Sequence, residues 1–181
     1  GEVLRLPRRY LLGGLALFTA YMAAYNLAIA LGRDHATVLE AGLINYLWPG
    51  LTLVLAVPIL RKRATPWLLP GLLLGLAGVA IATLGPGYTV TALGARLQQN
   101  ALVYLLALVA AVTWALFSNL SRAWAGHATA GATPLFLLAS GLLMGAVGRL
   151  FPHPAPGPWS AGTWGLLAFV TLGPTLLAYV C

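Results

Sequence analysis

Between Glu40 and Gly50 the chain reads Glu40-Ala-Gly-Leu-Ile-Asn45-Tyr46-Leu-Trp48-Pro49-Gly50. An acid, an amide, two large aromatic rings and a proline thus sit inside a run apolar enough to cross a bilayer. In hydrocarbon each polar group is costly unless it faces protein or a watery cavity. Proline also removes a backbone donor and clashes with the carbonyl four residues back, here that of Asn45. A kinked, polar, aromatic helix in a membrane is the usual material of a permeation pathway. On a straight helix Ala41, Asn45, Trp48 and Thr52 share one face, and the small Ala41 leaves room beside the amide and the indole. Tyr46 points away from that face, so both rings meet one cavity only if Pro49 bends the helix or Tyr46 reaches in from the side. Glu40 has two readings. An intramembrane acid can relay protons. Alternatively Thr37-Val-Leu-Glu40 is a capping box, with threonine capping the helix and glutamate reaching back; the capping box is the preferred reading.

Other spans carry similar groups. Phe18, Tyr21 and Tyr25 fall at i, i+3 and i+7, one stripe of a helix, and Asn26 lies about 100° round from Tyr25. They can be an aromatic packing stripe, but buried phenols need partners, and two mid-span phenols beside an amide suit a wet cavity better. Further on, Ala107, Ala111, Trp114, Ser118 and Ser121 line one face, a groove of small residues around one mid-span indole. Near the end Pro174 frees the carbonyl of Val170, with Thr171 and Thr175 close enough to compensate, so a hinge or a static kink is expected there.

Composition fixes the solvent. Of 181 residues 60% are hydrophobic and only 7% charged, with a mean hydropathy of +0.89. Soluble domains carry roughly 25% charged residues, so this is an integral membrane protein. Aromatic, Gly and Pro residues are scattered through apolar runs without strand-like alternation, which favours helices over a barrel. Apolar runs of span length predict helices near 10–32, 38–60, 67–84, 101–121, 133–151 and 163–181. Residues 1–85 and 101–181 then form two groups of spans, joined by a polar loop over 86–100. Gly71, Gly75 and Gly78, and Gly141, Gly145 and Gly148, repeat a spacing that lets helices approach closely.

The net charge of +7 resides in short loops between apolar segments, which points to anionic lipid headgroups rather than nucleic acid. Placing Arg5, Arg8, Arg9, Arg61, Lys62, Arg63 and Arg122 in the cytoplasm leaves only Arg33, Arg96 and Arg149 on the far, periplasmic side. Enzyme chemistry lacks support: His-Glu-x-x-His, Gly-x-Ser-x-Gly and phosphate-loop patterns are absent from the sequence. His35, His127 and His153 fall in loops, and the one cysteine, Cys181, offers neither a disulfide nor a metal cluster. No Lys or Arg lies mid-span, as a carrier of strongly anionic substrates would require. The chain opens without methionine and its last span is still apolar at Cys181, so a fragment is expected.

Asn45-Tyr46-Leu47-Trp48-Pro49, preceded by Glu40-x-Gly42, resembles the drug/metabolite transporter (EamA-type) superfamily, and within it the bacterial aromatic amino-acid exporters. Pro70-Gly71-Leu72-Leu73-Leu74, Gly78-Val79 and Trp114-Ala115 extend the match over essentially the whole chain. The resemblance implies an all-α, polytopic transmembrane helical bundle of ten spans in two inverted halves of five, of which six are visible here as the third to the eighth. It implies a central cavity lined by aromatics, at positions matching Tyr25, Asn26, Tyr46, Trp48 and Trp114. With Asn45 these make the expected substrate site; Pro49 and Pro174 are hinge or gating candidates, and Tyr21, Glu40 and Ser118 stand in second rank. The expected function is export of neutral or zwitterionic, aromatic or apolar amino acids across the bacterial inner membrane by alternating access. No cofactor, metal or nucleic acid is expected, and the remaining spans or a second chain would complete the bundle. The competing expectation is a non-transporting helical scaffold whose aromatics only pack.

Overall fold

The computed structural model describes residues 6–63, 65–84, 90–125, 132–149 and 160–170. They form eight helices: α1 (Arg8–Leu31), α2 (His35–Asn45), α3 (Trp48–Ile59), α4 (Leu68–Leu84), α5 (Val90–Gln99), α6 (Ala101–Ala125), α7 (Thr133–Arg149) and α8 (Ala161–Val170). No strand occurs among the described residues. The protein is an all-α membrane helical bundle. Among the described residues three segments are long and apolar enough to cross a membrane: α1, the α2–α3 stretch His35–Ile59, and α6. At 24 residues α1 rises about 36 Å, more than the roughly 30 Å of a hydrocarbon core. The chain divides into two compact units, Gly1–Ala130 with α1 to α6 and Gly131–Cys181 with α7 and α8. Pro174, Trp159 and the segment Pro152–Gly157 lie outside the described residues.

In the first unit α6 is the central element, and α1, α2 and α3 all pack on it. Its sequence explains why. Ala107, Ala110, Ala111 and Ala115 have no exposed surface, and small side chains at i, i+4 and i+8 let a neighbouring backbone come close. Two close approaches between helices occur at glycines. A Cβ on Gly13 of α1 would lie 2.5 Å from the Trp124 ring on α6, and one on Gly50 of α3 only 1.8 Å from Leu72 Cδ1 on α4. By contrast, a Cβ added at Gly71, Gly75, Gly78, Gly141 or Gly145 would meet nothing within 4 Å among the described residues. The repeated glycine spacing read in the sequence therefore does not mark the close contacts seen here.

The expected single helix near 38–60 differs in two ways. It starts earlier, at His35, and its cap is Asp34, whose carboxylate accepts a hydrogen bond from the Thr37 N–H at 2.7 Å. The Thr37–Glu40 capping box is thus overturned. An ionised carboxylate one turn upstream is a strong cap, and Glu40 is engaged elsewhere, by Tyr104 and Arg96. The helix is also interrupted at Tyr46 and Leu47. There the Leu47 N–H bonds to the Ile44 carbonyl at 3.1 Å, and regular i to i+4 bonding resumes from Leu51 to Leu47. Pro49, in the first turn of α3, is the physical cause: it brings no donor for the Asn45 carbonyl, so the turn before it tightens. Val90–Gln99, read from sequence as part of a loop, forms α5.

A buried amide ties α3 to α6. Asn119, 2% exposed, donates through Nδ2 to the Ala115 carbonyl and across the helix pair to the Thr52 carbonyl, both at 2.9 Å. An interhelical bond of this kind contributes roughly 0.5–1.5 kcal/mol. Asn119→Leu is therefore expected to lower the thermal unfolding midpoint in detergent by the equivalent of about 1 kcal/mol. An unchanged midpoint would show that the tie carries no stability.

Candidate functional site

Four aromatic rings from three helices meet Trp114, and a fifth extends the cluster. Phe18 and Tyr21 reach it from α1, with ring centroids 5.8 and 4.6 Å away; Trp48 reaches it from the start of α3 at 6.0 Å, edge-on; Phe117 lies 5.4 Å away on α6 itself. Tyr25 continues the line, stacked on Tyr21 at 6.1 Å with planes 5° apart. All these separations fall in the range where aromatic pairs attract beyond simple burial, by about 0.5–1.5 kcal/mol each. The cluster has a sealed side and an open side. Phe18 and Phe117 are buried, whereas Tyr21, Tyr25, Trp48 and Trp114 are only half-buried. Ring faces are thus presented at the margin of the cluster, held rigid by packing behind them.

The polar residues singled out in the sequence distribute unevenly around it. Asn45 lies one turn before Trp48 and is buried, and its Oδ1 has no hydrogen-bond partner among the described residues. Ser118 donates to the Trp114 carbonyl at 2.9 Å and Thr52 to the Trp48 carbonyl at 2.7 Å, so both hydroxyl protons are used within their own helices. Asn26 is exposed and donates back to the Met22 carbonyl at 2.8 Å. Tyr46 is 60% exposed and is not brought to the cluster. With Pro49 and Leu53 it forms one wall of a separate groove of about 500 Å³, opposite Trp67, Leu72 and Leu76 of the α4 side. The lining of this groove is almost wholly apolar. The ring cluster presents half-buried aromatic rings, and Asn45, one turn before Trp48, carries a buried acceptor without a partner among the described residues.

At the end of the bundle where α2 and α6 begin, a second polar group assembles. Glu40, 5% exposed, accepts a hydrogen bond from the Tyr104 hydroxyl and pairs with Arg96 of α5 at 3.4 Å. Arg96 also lies 3.9 Å from Asp34. Sequence reasoning missed Arg96 and Tyr104 as partners because both are distant in the chain from Glu40. It missed Asn119 too, although a lone amide in the apolar run Ala101–Ala125 was a usable signal.

Three curated proteins resemble the chain, each named aromatic amino acid exporter YddG. The Salmonella typhimurium protein is 31% identical over 160 residues, covering 85% of this chain and 52% of its own length. The Escherichia coli protein is 32% identical over 155 residues, covering 84% and 52%. The Ancylobacter novellus protein is 31% identical over 185 residues, covering 98% and 58%. The chain spans about half the length of the curated relatives it matches. No protein-family profile matches the chain, and no solved structure matches it.

The cap at Asp34 generates a pH dependence. The Thr37 N–H, helped by the Thr37 hydroxyl and less by Arg96, holds its carboxyl below the usual carboxylate range. A group whose folded-state pKa is depressed stabilises the fold above its unfolded value, here about 3.9, and loses that contribution as pH falls through the folded value. Asp34→Asn keeps an acceptor for Thr37 but removes the charge. Its thermal midpoint should lie below that of the unsubstituted protein at pH 7, and the gap should close as pH is taken below about 4. A gap that stays constant on acidification would show that the charge is not involved.

Proposed function

We propose that the chain forms part of an inner-membrane, multi-pass exporter of neutral or zwitterionic amino acids with aromatic or apolar side chains. Two lines support this reading: the similarity to proteins named aromatic amino acid exporters, and the half-open ring cluster around Trp114. The cluster is the observation that carries the choice of substrate. Tyr21, Tyr25, Trp48 and Trp114 would offer ring faces to an aromatic side chain. The Asn45 Oδ1 accepts and cannot donate, so it suits the ammonium end of an amino acid. Asn26 and Tyr46 would then lie at the periphery rather than against the substrate.

Transport would proceed by alternating access, with the rest of a ten-span, two-half bundle, or a second chain, enclosing the site opposite Trp114. Binding and movement are separable here. Recognition would reside in the rings and Asn45, movement in the tightened turn before Pro49.

The second reading is a helical scaffold in which the rings only pack, and the tight contacts of Phe18 and Phe117 with Trp114 are what favour it. Transport of phenylalanine and of alanine by the complete protein in liposomes, normalised to folded protein, separates the two. A stacking ring contributes about 0.5–1.5 kcal/mol, which is a few-fold to about tenfold in affinity. Trp48→Ala should therefore weaken phenylalanine transport by that factor and alanine transport less. Pro49→Ala returns a donor to the Asn45 carbonyl and should slow both substrates alike. Equal loss of both substrates in Trp48→Ala would assign the ring to packing and remove the site.

A further inference from the structure

The face that α2 turns inward carries one charged fastening. Thr37, Ala41 and Asn45 follow one another at i, i+4 and i+8, and all three are buried. Yet the Asn45 Oδ1 is buried without a hydrogen-bond partner among the described residues. Ala41 packs among Ala28, Val103, Tyr104 and Ala107, and Ile44 of α2 packs against the same cluster. The unsatisfied Asn45 acceptor offsets part of what this apolar contact contributes. The strong contact is Glu40, whose two carboxylate oxygens meet the Tyr104 hydroxyl of α6 and the Arg96 guanidinium of α5.

The neighbouring helix is held quite differently. α3 is tied to α6 by the Asn119 bond to the Thr52 carbonyl and meets α4 through Gly50 against Leu72. Between the two lies the tightened turn at Tyr46 and Leu47. α2 and α3 are thus held to α6 by different ties on either side of an irregular turn, and the tie of α2 is a charged one at its middle.

We infer that Glu40, Arg96 and Tyr104 form a releasable latch that closes α2 onto α6, with the Tyr46–Leu47 turn as its pivot. The physical basis is the asymmetry between its partners. Glu40 is buried, whereas the Arg96 side chain is 34% exposed and open to water. If Arg96 leaves, Glu40 is stranded in an apolar surrounding without its countercharge, a state that strongly disfavours continued packing. Helix docking and ion pairing must then occur together, so α2 has two discrete positions instead of a continuum. Asp34, 3.9 Å from Arg96 and more exposed than Glu40, offers the guanidinium a nearby anionic alternative when the latch opens. The inference goes beyond the transport reading and does not depend on it, since it needs no substrate.

Thiol accessibility tests it directly. Ala41 has no exposed surface and faces the α2–α6 contact, so Ala41→Cys reports whether α2 is docked. The complete protein would carry this probe in a background whose native cysteines, Cys181 included, are replaced by serine. It would be reconstituted in nanodiscs and reacted with a water-soluble maleimide. Labelling should be slow with the latch intact and at least about tenfold faster in Arg96→Gln, because removing one partner of a buried ion pair shifts an opening equilibrium strongly. Glu40→Gln and Arg96→Gln combined should label no faster than the faster single variant, because both remove one latch. Unchanged labelling in folded Arg96→Gln, or rates that multiply in the double variant, would overturn the proposal. Should Arg96→Gln not fold, Tyr104→Phe keeps the ring and removes only the hydroxyl. It must raise the labelling rate by a smaller factor, and an unchanged rate there overturns the latch equally.

Discussion

The alanine face of α6 is the constraint on which the first unit depends. In a bilayer apolar surface gains nothing by leaving lipid for protein, so helices associate through close fit and internal hydrogen bonds. Ala107, Ala110, Ala111 and Ala115 supply the fit by removing side-chain bulk along one side of α6. α1 and the α2–α3 stretch settle there, and Trp114, with Phe117 beside it, becomes the point where their aromatic residues converge. The ring cluster is thus a consequence of the packing. A bulky residue at Ala111 would separate the helices and scatter the rings together.

Hydrocarbon also demands that polar groups find partners inside the protein. Asn119 meets that demand and anchors α3; Glu40 meets it through Tyr104 and Arg96 and fastens α2. Asn45 does not meet it with Oδ1, nor do Thr19 of α1 and Ser121 of α6 with their hydroxyls. An unsatisfied buried polar group costs about 1–3 kcal/mol. Of these atoms the Asn45 Oδ1 lies on α2, the helix for which binding and movement are proposed. The same feature that makes Asn45 fit for an ammonium group makes the docked position of α2 easier to leave.

Much of this was legible in the sequence wherever the evidence was periodic. Phe18, Tyr21 and Tyr25 at helical spacing declared one face, and Ala107, Ala111 and Trp114 declared the groove that receives it. Pro49 declared an irregularity, since the missing donor is a covalent fact and needs no tertiary information. The partners of Glu40 were hidden, because Tyr104 lies 64 residues away and local spacing cannot reveal it. The capping box failed for a related reason: Thr37 and Glu40 satisfy the pattern, but Asp34 is the stronger acceptor and begins the helix earlier. Tyr46 and Trp48 look equivalent in the string of letters. Two residues apart on a helix, they point roughly 160° from each other, and the tightened turn does not bring them together. One joins Trp114, and the other lines the groove toward α4.

The central claim is that an aromatic amino acid rests against Trp114 beside Asn45. A structure of the complete protein with 4-bromophenylalanine, phased on the bromine's anomalous scattering, tests this most directly. The account requires a bromine peak within van der Waals reach of the Trp114 or Trp48 ring, with the ligand's ammonium group at the Asn45 Oδ1. A peak confined to the apolar groove between Tyr46 and Trp67, with the Trp114 cluster unoccupied, would contradict it.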